Sequence, residues 1–500
     1  MKKVLLASAS VAALFIAMPV MAQDNSSSVT QSGDAQSATV NQNGANDVST
    51  IDQQNANNTA LVNQNGTAGG SSAISQTGSG NHATVQTQQD DGSLYPGGQS
   101  AEGGSYPAGA APISVSTIAQ GGNDNNATVI QKTATSSLQN TSGINQGGNG
   151  NTANVTQYDD FQTSSVDQSS DNNTANVVQG LDNSADNSYG NTSSVAQGGG
   201  GGNNATVTQT GIFAISNVNQ AGSNGTATVT QHDGSKDAAS YVTQAGTGDS
   251  ASVDQSGLSQ LSSVDQEGDS EVAHVTQTGA SNSSGVSQSG PSNYATVTQN
   301  GTGNTSGITQ SSNFGGYSSE GAFPSDSGYA YVEQIGDANA SSISQSGASN
   351  WAVLHQDASN NASNINQTGN GTYADVSQTG NGNLSNVAQS GTANNLNLSV
   401  GISQSGAGNV SNVSQSGNGT VLNSWQNTVD VDQSGGNNNS YVDQSGTDNE
   451  TRIVESGSDN VSSVLQGGSD NHAFVNQLSD ANYSSVVQSG SNSTATVNQN

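Results

Sequence analysis

Gln288-Ser289-Gly290-Pro291-Ser292-Asn293-Tyr294-Ala295-Thr296-Val297-Thr298-Gln299 is one copy of a pattern that recurs along most of the 500-residue chain. Asn293, Ala295, Val297 and Gln299 alternate with Tyr294, Thr296 and Thr298. A period of two puts the first set on one face of a β-strand and the second set on the other. Gly290, two residues after Gln288, supplies the turn before the strand. Outward from this stretch, glutamine returns every eleven residues at Gln244, Gln255, Gln266, Gln277, Gln288, Gln299 and Gln310. Further series run from Gln334 to Gln389 and from Gln433 to Gln499, the latter with Glu455 in place of one Gln, and the N-terminal part begins likewise with Gln31, Gln42, Gln53 and Gln64. Nearly every such Gln follows a Val or Ile by two residues, as Val297 and Ile308 show, with Leu354 an exception. Asn commonly stands six residues before it, as Asn293 and Asn304 do.

The small residue four positions before each Gln alternates in identity: Ala251, Ser262, Ala273, Ser284, Ala295, Ser306. The true repeat is therefore 22 residues, a coil of one Ala strand and one Ser strand joined by short turns. The predicted fold is all-β: a parallel stacked β-solenoid with two strands per coil, amyloid-like in its cross-β stacking. Imperfect copies included, the count is about 38 strands in about 19 coils, which at ~4.8 Å per rung makes a rod of about 90 Å.

The inward set explains what holds such a coil together. Val297, Ile308 and their equivalents, with Ala or Ser, fill a thin dry seam. Inward Asn and Gln are expected to bond their copies in the coils above and below as amide ladders, leaving every inward polar group with a partner. The structural ladder is thus assigned to Gln244, Gln255, Gln266, Gln277, Gln288, Gln299 and Gln310 with Asn293 and Asn304, and the seam to Val297 and Ile308. On the outward face like charges mostly avoid each other at this spacing: Asp254 falls against Thr276, Asp265 against Ser287 and Asp443 against Leu465. Asp430 with Arg452 and Glu333 with His355 form two opposed pairs, worth no more than about 1 kcal/mol each.

Composition alone points elsewhere. Hydrophobic residues make up 30% of the chain, too few for a large conventional core, and the bland reading is intrinsic disorder. A strict register is what disordered low-complexity sequence lacks, so the repeat overturns that reading.

Met1-Lys2-Lys3, an apolar run from Val4 to Val20 and small residues before Gln23 form a secretory signal peptide over 1–22, with 23–500 as the mature chain. The apolar run is short for a membrane span and is followed by polar chain, so no membrane insertion is expected. Loss of Lys2 and Lys3 leaves Lys132, Lys236 and Arg452 as the only basic residues against 37 Asp and Glu. Such a surface does not neutralise phosphates, which argues against nucleic acid and anionic lipid as ligands. With no cysteine, disulfide stapling and thiolate metal sites are excluded. The register breaks near 89–113, 180–190, 311–328 and 417–426, with smaller slips at 132–141 and 392–397; these read as loop insertions within one solenoid. Aromatics in them, Tyr95, Tyr106, Phe314, Tyr317 and Phe323, read as ordinary loop packing, with adhesive contacts as the alternative. Neither end shows an atypical capping repeat, and bare strand edges of that kind are templates for adding another chain, so end-to-end polymerisation is expected.

Catalytic chemistry finds no foothold. His82, His232, His274, His355 and His472 are scattered without metal-ligand spacing, acidic residues occur mostly singly, and a thin solenoid lacks a pocket. No enzyme activity, cofactor or metal is expected. Glu455, standing at an inward Gln position, is expected to be protonated or to distort the ladder locally.

The stretch Gln288–Gln299 resembles the curlin repeat, Gln-x-Gly-x-x-Asn-x-Ala-x-Val-x-Gln, and Gln378–Gln389 fits it with Gly380, Asn383, Val387 and Gln389 in register and Ser385 in the Ala place. The resemblance spans nearly all of residues 25–500. It implies an extracellular subunit of curli fibres, serving adhesion and biofilm matrix. It also implies partners: copies of itself or another curlin, an outer-membrane export channel and a periplasmic chaperone. The chain departs from the family in carrying several times the usual handful of repeats, in placing the small Ser284 where a larger apolar residue is common, and in having almost no polar targeting segment after Ala22. The rival reading is a monomeric solenoid whose flat face binds ice or a polysaccharide. Outward Thr206/Thr208, Thr228/Thr230 and Thr296/Thr298 suit it, but Asn176, His274 and Asp375 interrupt the same columns.

Overall fold

The computed structural model describes residues 24–44, 46–65, 69–89, 114–133, 139–181, 188–311, 328–391, 398–417 and 427–500. Within them, 38 strands, from Ser26–Asp34 to Thr494–Gln499, alternate between two parallel sheets of 19 strands each. Leu261–Gln266, Ser283–Ser289 and Thr305–Ser311 are successive rungs of the Ser sheet. Val272–Ala280, Tyr294–Thr302 and Tyr329–Ile335 are successive rungs of the Ala sheet. The fold is the stacked β-solenoid with two strands per coil, and like residues stand over like: Ala273 on Ala295 on Ala330, and Gln277 on Gln299 on Gln334.

Burial follows the alternation. In Tyr294–Thr302 the residues Ala295, Val297 and Gln299 are buried and the residues between them are not. The apolar part is one continuous seam of Ala, Val, Ile and Leu from Ile51 to Val486, to which a Ser-sheet rung adds one side chain and an Ala-sheet rung mostly two. Because so little apolar area is contributed per coil, stacking rather than any single coil makes the core. At three rungs the Ala place is taken by Val400, Val429 and Thr451, all buried, a local thickening that the repeat pattern did not signal.

The arcs between strands are stacked as tightly as the strands. In most described arcs the residue four after the Gln takes the left-handed conformation, with φ of 61° at Ser270, 56° at Ser281 and 59° at Ser292. That geometry turns its N–H toward the preceding coil, where Ser281 donates to the Leu258 carbonyl and Ser292 to the Asp269 carbonyl, each at 2.8 Å. Gly268 is needed for a different reason: a Cβ there would overlap the backbone carbonyl of Gly290 in the next coil.

Most of the expected insertions lie outside the described residues, at 90–113, 134–138, 182–187, 312–327, 392–397 and 418–426, and so does the expected signal peptide. Their flanks rejoin in register. Gln76 donates to Gln120 across 44 residues and Gln310 to Gln345 across 35, both at 2.8 Å. On the outer surface the two anticipated pairs are formed, Glu333–His355 at 2.9 Å and Asp430–Arg452 at 3.6 Å. His232–Asp254 at 2.7 Å and His472–Glu450 at 2.9 Å repeat the same arrangement one rung apart. Among the described residues no helix is long and apolar enough to cross a membrane.

Candidate functional site: the stacked amide ladders

The eleven-residue glutamine series divides into two ladders. Gln244, Gln266, Gln288 and Gln310 belong to the Ser sheet, and Gln255, Gln277 and Gln299 to the Ala sheet; all are buried. Each amide uses both of its hydrogens. Gln266 Nε2 donates to Gln288 Oε1 at 2.9 Å and to the Ser250 carbonyl of the facing strand at 3.2 Å. Gln288 repeats the arrangement toward Gln310 at 2.9 Å and Val272 at 3.0 Å. Each Gln thus ties its own rung to the next one and one sheet to the other. The direction is uniform: Nε2 points to the rung that follows in sequence and Oε1 to the rung that precedes. In the Ser sheet this ladder is unbroken from Gln31 to Gln488.

Asn293 and Asn304 are buried in a second kind of column, and here the expected amide-to-amide ladder is corrected. Asn304 Oδ1 accepts the backbone N–H of Asn339 at 2.9 Å, and its Nδ2 donates to the Gly336 carbonyl at 2.8 Å. Asn293 Oδ1 accepts the N–H of Gly328 at 3.1 Å. One methylene shorter than Gln, the side chain reaches the backbone of the next arc instead of its own copy. Val297 and Ile308 lie in the apolar seam beside these columns.

The expectation that every inward polar group has a partner also needs correction. Among the described residues the hydroxyls of Ser164, Ser193, Ser216, Ser240, Ser262 and Ser306 are buried and make no hydrogen bond. A few of their equivalents are paired, Ser116 with Gln131 at 2.8 Å and Ser385 with Ser363 at 2.7 Å. An unpaired buried hydroxyl costs about 1–3 kcal/mol. Ser306→Ala is therefore expected to raise stability by about 1 kcal/mol, read as a higher urea midpoint at unchanged slope. A lower midpoint would mean that the hydroxyl has a partner after all.

Among the described residues acidic side chains enter the inward columns at four places, of which only Glu455 is conspicuous in the sequence. Gln433 donates to Glu455 Oε2 at 2.8 Å, but the carboxylate has no N–H to pass on, and the Oε1 of Gln477 on the next rung is buried without a donor. The register runs through undisturbed, Gln433 on Glu455 on Gln477. Burial raises the pKa of Glu455 against the hydrogen bond from Gln433, and a neutral carboxyl supplies the hydrogen that the ladder lacks at this rung. Asp47, Asp249 and Glu271 occupy the Asn column, six residues before Gln53, Gln255 and Gln277. Glu271 accepts from Gly268 N–H at 2.9 Å and Asn293 Nδ2 at 3.2 Å, and its own N–H donates to Asp249 Oδ1 at 3.1 Å. Burial pushes Glu271 up to about 7 despite those bonds, with Asp249 and Asp265 adding to the rise. Asp249 and Asp47 are likewise raised, chiefly by burial. The signal for these three was an acid in an Asn slot, visible only once the slot is known to be buried. Thr87, which takes the Gln place between Gln64 and Gln131, is similarly hidden among Gln86, Gln88 and Gln89.

Among the described residues no three His, Cys, Asp or Glu side chains gather into a metal-binding group. The arrangement gives successive rungs of each sheet the same set of donors and acceptors. A family profile described as the curlin associated repeat matches residues 262–290, 336–369 and 426–454. Each matched segment contains rungs of both glutamine ladders. A search of curated proteins gives no match to the chain.

Proposed function

We propose that this chain, a curlin-family repeat protein, is a structural subunit of an extracellular curli-type amyloid fibre that serves surface adhesion and biofilm matrix. The coarser part of that statement is plain: the curlin repeat and the β-solenoid are a structural repeat and a structural fold, not a catalytic one. The observation that supports the fibre reading is the one-way glutamine ladder. A rung that offers Nε2 on one side and Oε1 on the other is complementary to any other such rung, whether that rung belongs to the same chain or to another copy. Copies of this chain or a second curlin are the proposed partners, added head to tail. An outer-membrane channel and a periplasmic chaperone are proposed on family grounds to deliver the chain unfolded. The flat-face alternative loses ground, because the outward column through Thr296 reads His274, Thr296, Tyr331, Val353 and Asp375, which is no regular plane.

The test is assembly of the purified mature chain. Fibres with reflections near ~4.7 Å along the axis and ~10 Å across it are expected, seeded by preformed fragments. A chain that stays folded and monomeric for days at high concentration would overturn the proposal.

A further inference from the structure

Glycine inside a strand weakens it, since it brings no side chain to pack and loses more freedom on folding than any other residue. Gly285 and Gly307 stand over one another at outward positions in the middle of two successive Ser-sheet rungs. Neither has a positive φ, and a Cβ on either would meet nothing within 4 Å. The arc glycine Gly268, by contrast, has the Gly290 carbonyl against it. The chain's own packing gives no reason for Gly285 and Gly307, and a strand glycine of that kind marks a place where something from outside comes close to the backbone.

The surroundings narrow what that is. From Ser283–Ser289 to Val410–Gly417, six successive rungs of the Ser sheet present outward Ser, Thr, Asn, Ala and Gly with Leu384 and Val410, and no charged side chain. Asp265 on the rung before and Asp443 on the rung after bound this window. On a chain of net charge −32, it is a face that another acidic rod can approach without repulsion. Three outward columns about 6.6 Å apart, over those rungs, make a plane of about 550 Å². Two copies meeting there bury about 1,100 Å² together, just above the ~1,000 Å² that a specific interface needs.

The other face of the same coils carries the matching relief. Tyr294, Tyr329, Trp351 and Tyr373 stand over one another on four successive Ala-sheet rungs, with ring centroids 5.4, 4.3 and 6.5 Å apart. They form a ridge, and Tyr294 lies on the strand that follows Gly285 and precedes Gly307 in the chain. Aromatic rings cover strand glycines well, and large side chains opposite small ones close an interface without voids. The acids of the ridge face are Glu333, which holds His355 at 2.9 Å, and Asp375, which accepts from the Tyr373 hydroxyl at 3.3 Å. Against the window they meet no other acid.

We infer that a second copy of this chain docks its ridge of Tyr294, Tyr329, Trp351 and Tyr373 onto the uncharged window around Gly285 and Gly307, side against side. The interface is heterologous: the pair keeps one free ridge and one free window, so the same contact repeats into rows of rods. It runs along the sides of the solenoid and does not depend on chains joining at their ends.

The test is cross-linking between two variants. The chain has no cysteine, so Gly307→Cys and Tyr329→Cys are introduced into separate full-length chains, which are folded, mixed and treated with a short bis-maleimide. Circular dichroism checks that each variant has folded. A product linking position 307 of one chain to position 329 of another is expected, identified by mass spectrometry of the linked peptides. Gly143→Cys, at an outward strand position outside the window, should give only the background of chance collisions with Tyr329→Cys. Adding Gly285→Glu to the Gly307→Cys chain puts a charge into the window where the rod itself has open space, and should lower the yield at least about tenfold. Adding Gly143→Glu instead should leave the yield unchanged. A mixture that gives no more product than the Gly143→Cys control would overturn the assignment. So would equal linking of the Gly307→Cys chain to itself, which would mean window against window, or equal loss with Gly143→Glu. Positions 307 and 329 are many rungs from either end, so end-to-end growth neither produces nor prevents the product.

Discussion

Replacing Gln288 with leucine is expected to lower the stability of the folded chain by about 3–5 kcal/mol, the largest effect of any single inward substitution considered. Leucine fits the seam and fills a similar volume, so the loss is one of hydrogen bonds rather than packing. Three buried groups lose their partner: the Nε2 of Gln266, the Oε1 of Gln310 and the Val272 carbonyl. At about 1–3 kcal/mol each, moderated because Gln266 keeps its second bond to Ser250, the sum falls in that range. Since each coil touches only its neighbours, the loss should be local. Hydrogen exchange and protease cleavage should rise over Leu261–Ser311 and not elsewhere, and the urea transition should become biphasic. Gln488→Leu, at the last rung of the same sheet, orphans Gln466 but no described rung beyond it, and should cost less than half as much. A urea midpoint for Gln288→Leu within about 1 kcal/mol of the parent would show that the seam, not the ladder, holds the rod.

The second large effect is a dependence on pH that runs opposite to ordinary acid denaturation. Glu271 has an ordinary value of 4.5 and sits at about 7 in the fold, so between those limits the folded chain holds a proton that the unfolded chain has released. The stabilising contribution is therefore full below about pH 4.5 and is lost as pH rises toward 7. A displacement of that size is worth at most about 3 kcal/mol, and the nearness of its arc to water reduces this to about 2. Asp249, Asp47 and Glu455 are raised in the same sense and add to it. The chain is expected to be about 2–4 kcal/mol more stable at pH 5 than at pH 8 by urea titration. The triple substitution Asp249→Asn, Glu271→Gln, Glu455→Gln should remove more than half of the difference. A parent chain equally stable at both pH values would contradict this account, as would a triple variant with the parent's slope.

The fold was legible because stacking demands chemical identity. A glutamine bonds best to a glutamine on the next rung, so Gln266, Gln288 and Gln310 print their spacing into the sequence, and Ala295 over Ala273 prints the doubling of that spacing. The asparagine columns were legible in position but not in mode. Asn304 recurs because its slot is buried and polar, and a sequence does not say whether the partner in that slot is another side chain or a backbone N–H. The unpaired hydroxyl of Ser306 was invisible for the same reason: serine is small enough for the seam, and its cost appears only in three dimensions. Glu271 and Asp249 look like ordinary surface acids until the depth of their column is known. Insertions and the two-strand coil scatter the outward aromatics Tyr294, Tyr329, Trp351 and Tyr373 through the chain, and only rung order brings them together.

Sheets ordinarily carry little net dipole, since their backbone N–H and C=O groups point alternately both ways. Here the side-chain amides of two columns all point one way, from Gln31 and Gln42 toward Gln488 and Gln499. Aligned amides polarise one another, and in the unbroken Ser-sheet column their partial charges cancel along the interior, as in a helix, while the Ala-sheet column is interrupted at Thr87 and Glu455. The ladders are thus polar along the axis, with amide N–H groups turned toward the last described rung and amide oxygens toward the first. Ions and charged surfaces meet a different electrical face at each end of a body whose net charge is −32.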